Sequence, residues 1–104
     1  MNKILKNLFL IVIFTLFTNL GAQETFILNY EDVDIKKVTQ DIAQFSKKTI
    51  ILDPRVKGKV TIYSNANLDR DQVWDVYLRT IQVNGFGAIS EDGFLRVVPE
   101  NEAT

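Results

Sequence analysis

Residues 49–64 read TIILDPRVKGKVTIYS, and this stretch decides the fold. Thr49–Leu52 is a short run of β-branched and apolar residues, the composition of a strand. Asp53-Pro54 then opens a turn that Gly58 closes, because proline fixes its own φ and denies helix to the residue before it. Lys59–Tyr63 alternates, with Val60 and Ile62 on one face and Thr61 and Tyr63 on the other, so a second strand follows the first directly.

Amphipathic helices bracket this pair. Upstream, Ile35, Val38, Ile42 and Phe45 recur at spacings of three and four, which predicts a helix over 35–47 with Asp34 as N-cap and Val33 stapled onto Val38. Lys47 and Lys48 would complement the negative end of that helix dipole. Downstream, Asp69 with Gln72 three residues later forms a capping-box pattern, and Leu68 can staple onto Val73. Val73, Val76, Tyr77, Thr80 and Ile81 line one face, Trp74 and Leu78 widen it, and Gly85 is placed for a left-handed stop.

The outer elements complete the order. Phe26–Tyr30 alternates, with Phe26, Leu28 and Tyr30 on one face and Ile27 and Asn29 on the other. Phe86–Ser90 and Phe94–Val98 flank Glu91-Asp92-Gly93, which predicts a hairpin with a three-residue loop and a glycine bulge. The reading is a single small α+β domain, β-α-β-β-α-β-β, with the helices packed on small sheets. Residues 101–104 have no apolar period and read as the start of a linker or a frayed end.

Ahead of the domain, Lys3 and Lys6 precede the apolar stretch Leu8–Phe17, and Leu20-Gly21-Ala22 ends in small residues. This is the form of a secretory signal peptide, residues 1–22, and the apolar run falls short of the roughly 18 residues of a membrane span. Retention of the leader as a tether is the competing expectation. Without cysteine, neither lipid attachment nor a disulfide is available. The 12 Lys and Arg less Lys3 and Lys6 leave ten against 13 acidic residues, a net of −3, so the electrostatic footprint for nucleic acid is missing.

Catalytic chemistry finds no footing. The chain has no His and no Cys, which removes the commonest general base, the thiol nucleophile and the usual transition-metal ligands. Asp69, Asp71 and Asp75, and likewise Glu31, Asp32 and Asp34, are read as acids at helix starts. Gly85-Phe86-Gly87 leaves a helix and enters a strand, the reverse of a phosphate loop. Ser46, Ser64 and Ser90 have no partner base in any motif. No cofactor is expected, and the chain is read as a binding module.

For such a module a strand edge is the expected docking place. Ile27 and Asn29 on the first strand and Thr61 and Tyr63 on the third are the candidate contact residues, with Arg55 and Lys57 as a charged rim. Trp74 is a further candidate as a hot spot, and the basic cluster as a docking patch. The bland reading competes: Ile27 and Trp74 as core, and the cluster Lys47, Lys48, Arg55, Lys57 and Lys59 as a solvated turn.

In this order and spacing FILNYEDVDIKKV, IILDPRVKGKVT, L-D-x-D-Q-V-W-x-V-Y-L and VNGFGAISEDGFLRVVP resemble the first periplasmic (N-zero) domain of the type II secretion secretins, the GspD family. The resemblance covers nearly all of residues 23–100. It implies two helices between a mixed sheet and a small hairpin sheet. It also implies a periplasmic location after export, association with the outer membrane within a full secretin, and docking to the periplasmic homology region of the inner-membrane GspC-type protein. Exoproteins and neighbouring secretin subunits are the further partners it implies. A secretin's later ring domains and pore are not in these 104 residues, so a fragment and a stand-alone domain are both open, and the isolated domain is expected to be monomeric at micromolar concentration. A more distant likeness, to the signalling domain of TonB-dependent transducers, implies binding to an anti-sigma regulator instead.

Overall fold

The computed structural model describes residues 23–103; residues 1–22, on which the signal-peptide expectation falls, and Thr104 lie outside them. The elements run β1 (Asn29–Asp34), α1 (Ile35–Ser46), β2 (Thr49–Leu52), β3 (Lys59–Tyr63), α2 (Arg70–Val83), β4 (Phe86–Glu91) and β5 (Phe94–Pro99), followed by a 3-10 turn, Glu100–Glu102. β1 and β3 pair antiparallel as one sheet, while β2, β5 and β4, in that order, form a mixed sheet in which β2 and β5 are parallel. Helix α1 packs on β1 and β3 on one side and on β2 on the other, and α2 packs on α1 and β4, so the helix pair lies between the sheets.

Burial follows the sequence pattern. Ile35, Val38 and Ile42 from α1 and Val73, Tyr77 and Ile81 from α2 meet Val60 and Ile62 of β3 and Leu95 and Val97 of β5 in one core. Each helix stripe is apolar at i, i+3/i+4 and i+7/i+8, which is what allows it to bury a face against its neighbours. Inside that core the Thr39 and Tyr77 hydroxyls share a hydrogen bond of 3.0 Å and satisfy each other. Val56, in the β2–β3 loop, is also wholly buried. The loop starts as a turn in which the Val56 N–H donates to the Asp53 carbonyl, with Asp53 and Pro54 at the positions that favour them.

The caps are as the sequence reads. Asp34 accepts from the Lys36 N–H, and Asp69 and Gln72 close a full capping box on α2. Four details differ. The first strand begins at Asn29, because the Leu28 N–H goes to the Ser64 hydroxyl, while Phe26 makes an isolated bridge to Leu68 and stacks on Phe45. Glu31 and Asp32 belong to β1 and not to the helix start: one extra residue is inserted between the pairs Tyr30–Ile62 and Val33–Val60, and Asp32 takes φ 54. That bulge has a purpose in packing. Tyr30 and Val33 would face opposite sides of a regular strand, and the inserted residue turns both toward the core. At the far end of α1, Lys47 is the left-handed cap (φ 55), and the Lys48 ammonium sits 5.1 Å from the Trp74 ring centroid. Lastly, Glu91 pairs with Phe94, so the hairpin loop has two residues, not three; Asp92 (φ 35) and Gly93 (φ 88) both take positive φ, as the tight hairpin turn demands.

Candidate docking surface

The sheet β1–β3 has an inner and an outer face. Val60 and Ile62 are buried, so the period of two sends Lys59, Thr61 and Tyr63 outward. Asn29 stands directly opposite Tyr63 in the register, and Ile27 lies two residues before Asn29 with buried Leu28 between them. Ile27 is 65% and Tyr63 66% exposed, so the core reading of Ile27 fails: the chain ahead of β1 turns Leu28 inward and leaves Ile27 in solvent. Asn29, Thr61, Tyr63 and Ile27 thus share one outward face.

The polar groups of that face are partly engaged. Thr61 Oγ1 accepts the Asp32 N–H at 3.0 Å, which satisfies the bulge and leaves the threonine hydroxyl proton free to donate elsewhere. Lys59 Nζ is 3.7 Å from the Asp32 carboxylate, with both side chains well exposed. From the inner side, the Tyr30 hydroxyl donates to Asp41 at 2.8 Å and ties β1 to α1. Burial, together with the Asp41 hydrogen bond, pushes the Tyr30 hydroxyl far above the ordinary tyrosine value, so it stays a proton donor.

Arg55 is engaged away from this face. Arg55 folds back on Asp53 through Nε and Nη2 and on Glu102 through Nη1 and Nη2. The Arg55 hydrogen bonds hold the Asp53 carboxyl down to about 2 and hold Glu102 below the usual carboxylate range. Lys57 is exposed in the same loop. A second concavity went unread in the sequence: Lys48, Trp74, Leu78, Ala88 and Phe94 line an open groove between α2 and the hairpin. Its only sequence signal is the width of the α2 stripe, since Trp74 and Leu78 are half-buried there. Among the described residues no three acidic side chains gather as metal ligands would.

Comparison with known proteins gives a consistent neighbourhood. The family model described as "GspD-like, N0 domain" matches residues 28–97. The secretin XcpQ of Pseudomonas aeruginosa is 33% identical over 76 residues, which is 73% of this chain; the chain spans 12% of that relative's length. The solved N0 domain of the type II secretin from enterotoxigenic Escherichia coli superposes with a TM-score of 0.69 at 32% identity, covering 76% of this chain and 99% of that one. A chain of the GspC-GspD complex from the type II secretion system of enterotoxigenic Escherichia coli gives a TM-score of 0.67 at 28% identity, covering 74% of this chain and 57% of that one.

Proposed function

This chain belongs to the GspD-like N0 domain family, and from that premise we propose that it is a non-catalytic periplasmic docking module of a type II secretin, joining the outer-membrane channel to the inner-membrane GspC-type protein. The observation that carries the reading is the outward face of the β1–β3 sheet. It offers an exposed aliphatic and an exposed aromatic side chain, Ile27 and Tyr63, beside the polar Asn29 and Thr61, on a sheet that has two strands among the described residues. A two-stranded sheet has unpaired edges to which a partner strand adds main-chain hydrogen bonds, while alternate side chains supply selectivity. The GspC-GspD complex among the structural neighbours supports a GspC-type periplasmic homology region as that partner. Exported proteins and adjacent secretin subunits are further partners in the same reading, and export rests on cleavage after Ala22. The relatives being secretins, the anti-sigma alternative is not favoured.

Among the described residues the buried core lies between Leu28 and Val98, and the N0 domain of the E. coli secretin, 99% covered by this chain, is a solved structure on its own. The test is a titration of isotope-labelled residues 23–104 with the cognate GspC-type homology region, following backbone amides. Shifts centred on Ile27–Asp32 and Lys59–Ser64, abolished in I27D and Y63D variants that stay folded and monomeric by sedimentation, are the expected result. Saturable shifts confined to the Trp74 groove would move the docking site, and no shifts at all would refute the docking role.

A further inference from the structure

β5 ends at Pro99, and the chain then turns sharply: the Glu100 N–H donates to the Gly85 carbonyl at 3.1 Å and the Ala103 N–H to the Glu100 carbonyl at 3.1 Å. A single 3-10 turn does not hold itself. Ordering its residues costs backbone conformational entropy, and its internal hydrogen bonding is too meagre to offset that. Besides the Gly85 carbonyl, two contacts from elsewhere in the fold hold it.

The first is Arg55, 47 residues away in sequence from Glu102. Its guanidinium makes a two-pronged contact with Glu102 and another with Asp53, so one planar group bridges two carboxylates. Arg55 is itself pre-oriented, since its N–H donates to Asp53 Oδ1 at 2.9 Å within the turn that buried Val56 anchors. The second is Gly87 of β4. A Cβ there would fall on the Ala103 Cβ, so glycine serves at this buried strand position for space and not for an unusual φ.

We propose that Arg55, Asp53, Glu102 and the Gly87–Ala103 contact form a latch that fixes the heading on which the chain leaves the domain. The two halves are independent: one is electrostatic and starts from the β2–β3 loop, the other is steric and starts from β4. Both close on the same three-residue turn. A segment covalently attached beyond the turn would then be carried at a set angle to the β4–β5 hairpin, not on a free tether. The latch does not depend on the docking reading, since Arg55 and Gly87 stand apart from the face of Ile27 and Tyr63.

The experiment uses residues 23–104 carrying T104C, the only cysteine in the chain, labelled with a nitroxide. With the latch closed, amide broadening concentrates near residues 53–56 and 86–88, and the order parameters of Asn101–Ala103 stay near the ~0.85 of rigid backbone. In R55A and E102Q the broadening spreads over the surface and those order parameters fall below ~0.6, while Val38, Ile42 and Tyr77 amides are unchanged. G87A gives the same loosening with the ion pair's partners intact. Should G87A fail to fold, R55A and E102Q alone decide. Mobility of residues 101–103 in the parent protein, or a rigid turn in R55A and E102Q, would overturn the latch.

Discussion

Replacing Thr39 by Val should destabilise the domain more than replacing Tyr77 by Phe, although both changes delete one hydroxyl from the same 3.0 Å hydrogen bond. The reason is what each change leaves behind. Thr39 lies on α1, so in Y77F its hydroxyl can turn to the carbonyl one helical turn back, and only the net worth of the hydrogen bond is lost, about 1 kcal/mol. In T39V the tyrosine hydroxyl stays buried on a residue with 0% exposure and has no helix carbonyl of its own to reach, so the penalty of an unpaired polar group is added, about 2 kcal/mol in all. The tyrosine cannot escape by ionising, because burial raises its pKa from the ordinary 10.0. Valine keeps the β-branched shape of threonine, which limits any change in helix propensity or volume. Trp74, the chain's sole tryptophan, lies 5.9 Å from the Tyr77 ring and reports unfolding by fluorescence. For a domain this small the urea slope is about 1 kcal/mol per M, so the midpoint should fall by about 1 M in Y77F and about 2 M in T39V. The double variant should lose less than the sum of the two. Additivity within ~0.3 kcal/mol, or a milder T39V than Y77F, would refute the reasoning.

Two further perturbations probe other parts of the fold. D69A removes the side chain that accepts the Gln72 N–H and half of the capping box, so it should cost about 1 kcal/mol, read as a lower urea midpoint with an unchanged slope, whereas D75A, on an exposed helix position, should cost little. On acidification, the Asp53 carboxyl, held at about 2 against its ordinary 3.8 by hydrogen bonds from Arg55, contributes stability that is complete above the ordinary value and lost as the pH falls toward 2. Side-chain carboxyl shifts of Asp53 should therefore titrate well below pH 3.8, and ordinary titration near 4 would show that the Arg55 contact does not persist in solution.

Legibility tracked the range of the interaction. The bounds of β2 and β3 and the capping box on α2 are written in consecutive residues, so Thr49–Leu52, Lys59–Tyr63 and Asp69–Gln72 read directly. What escaped depends on partners far along the chain. The bulge at Asp32 breaks the alternation that a period of two assumes, and nothing local announces it beyond two polar residues between Tyr30 and Val33. Val56 reads as a loop residue because its burial is decided by the elements that close over it. For the face proposed for docking, the same logic decides which candidates share one side of the sheet. Ile27, Asn29, Thr61 and Tyr63 follow from strand parity alone, whereas Arg55 was drawn away by Glu102, whose carboxylate no pattern in residues 53–59 could signal.

The bulge also explains why the outer face has the chemistry it has. Inserting one residue lets Tyr30 and Val33 both serve the core, so every large apolar group of Asn29–Asp34 is consumed inward. The bulge's orphaned N–H is then met by Thr61 from the neighbouring strand, which pins that side chain in place. Outward there remain a polar strip and, at one end, Ile27, two residues before the Asn29–Tyr63 pair, where the Phe26–Leu68 bridge and the Phe26–Phe45 stack hold the chain. In the proposed docking, binding at this face would cost the domain little conformational freedom, because backbone and bulge are already fixed from beneath, and the partner would offer an apolar surface at one end and hydrogen-bond acceptors for Thr61, Tyr63 and Asn29 along the strip. Selectivity in the proposed docking would reside in that gradient from apolar to polar along a single short sheet, and a partner strand in the reversed direction would set its apolar end against Lys59 and Asp32.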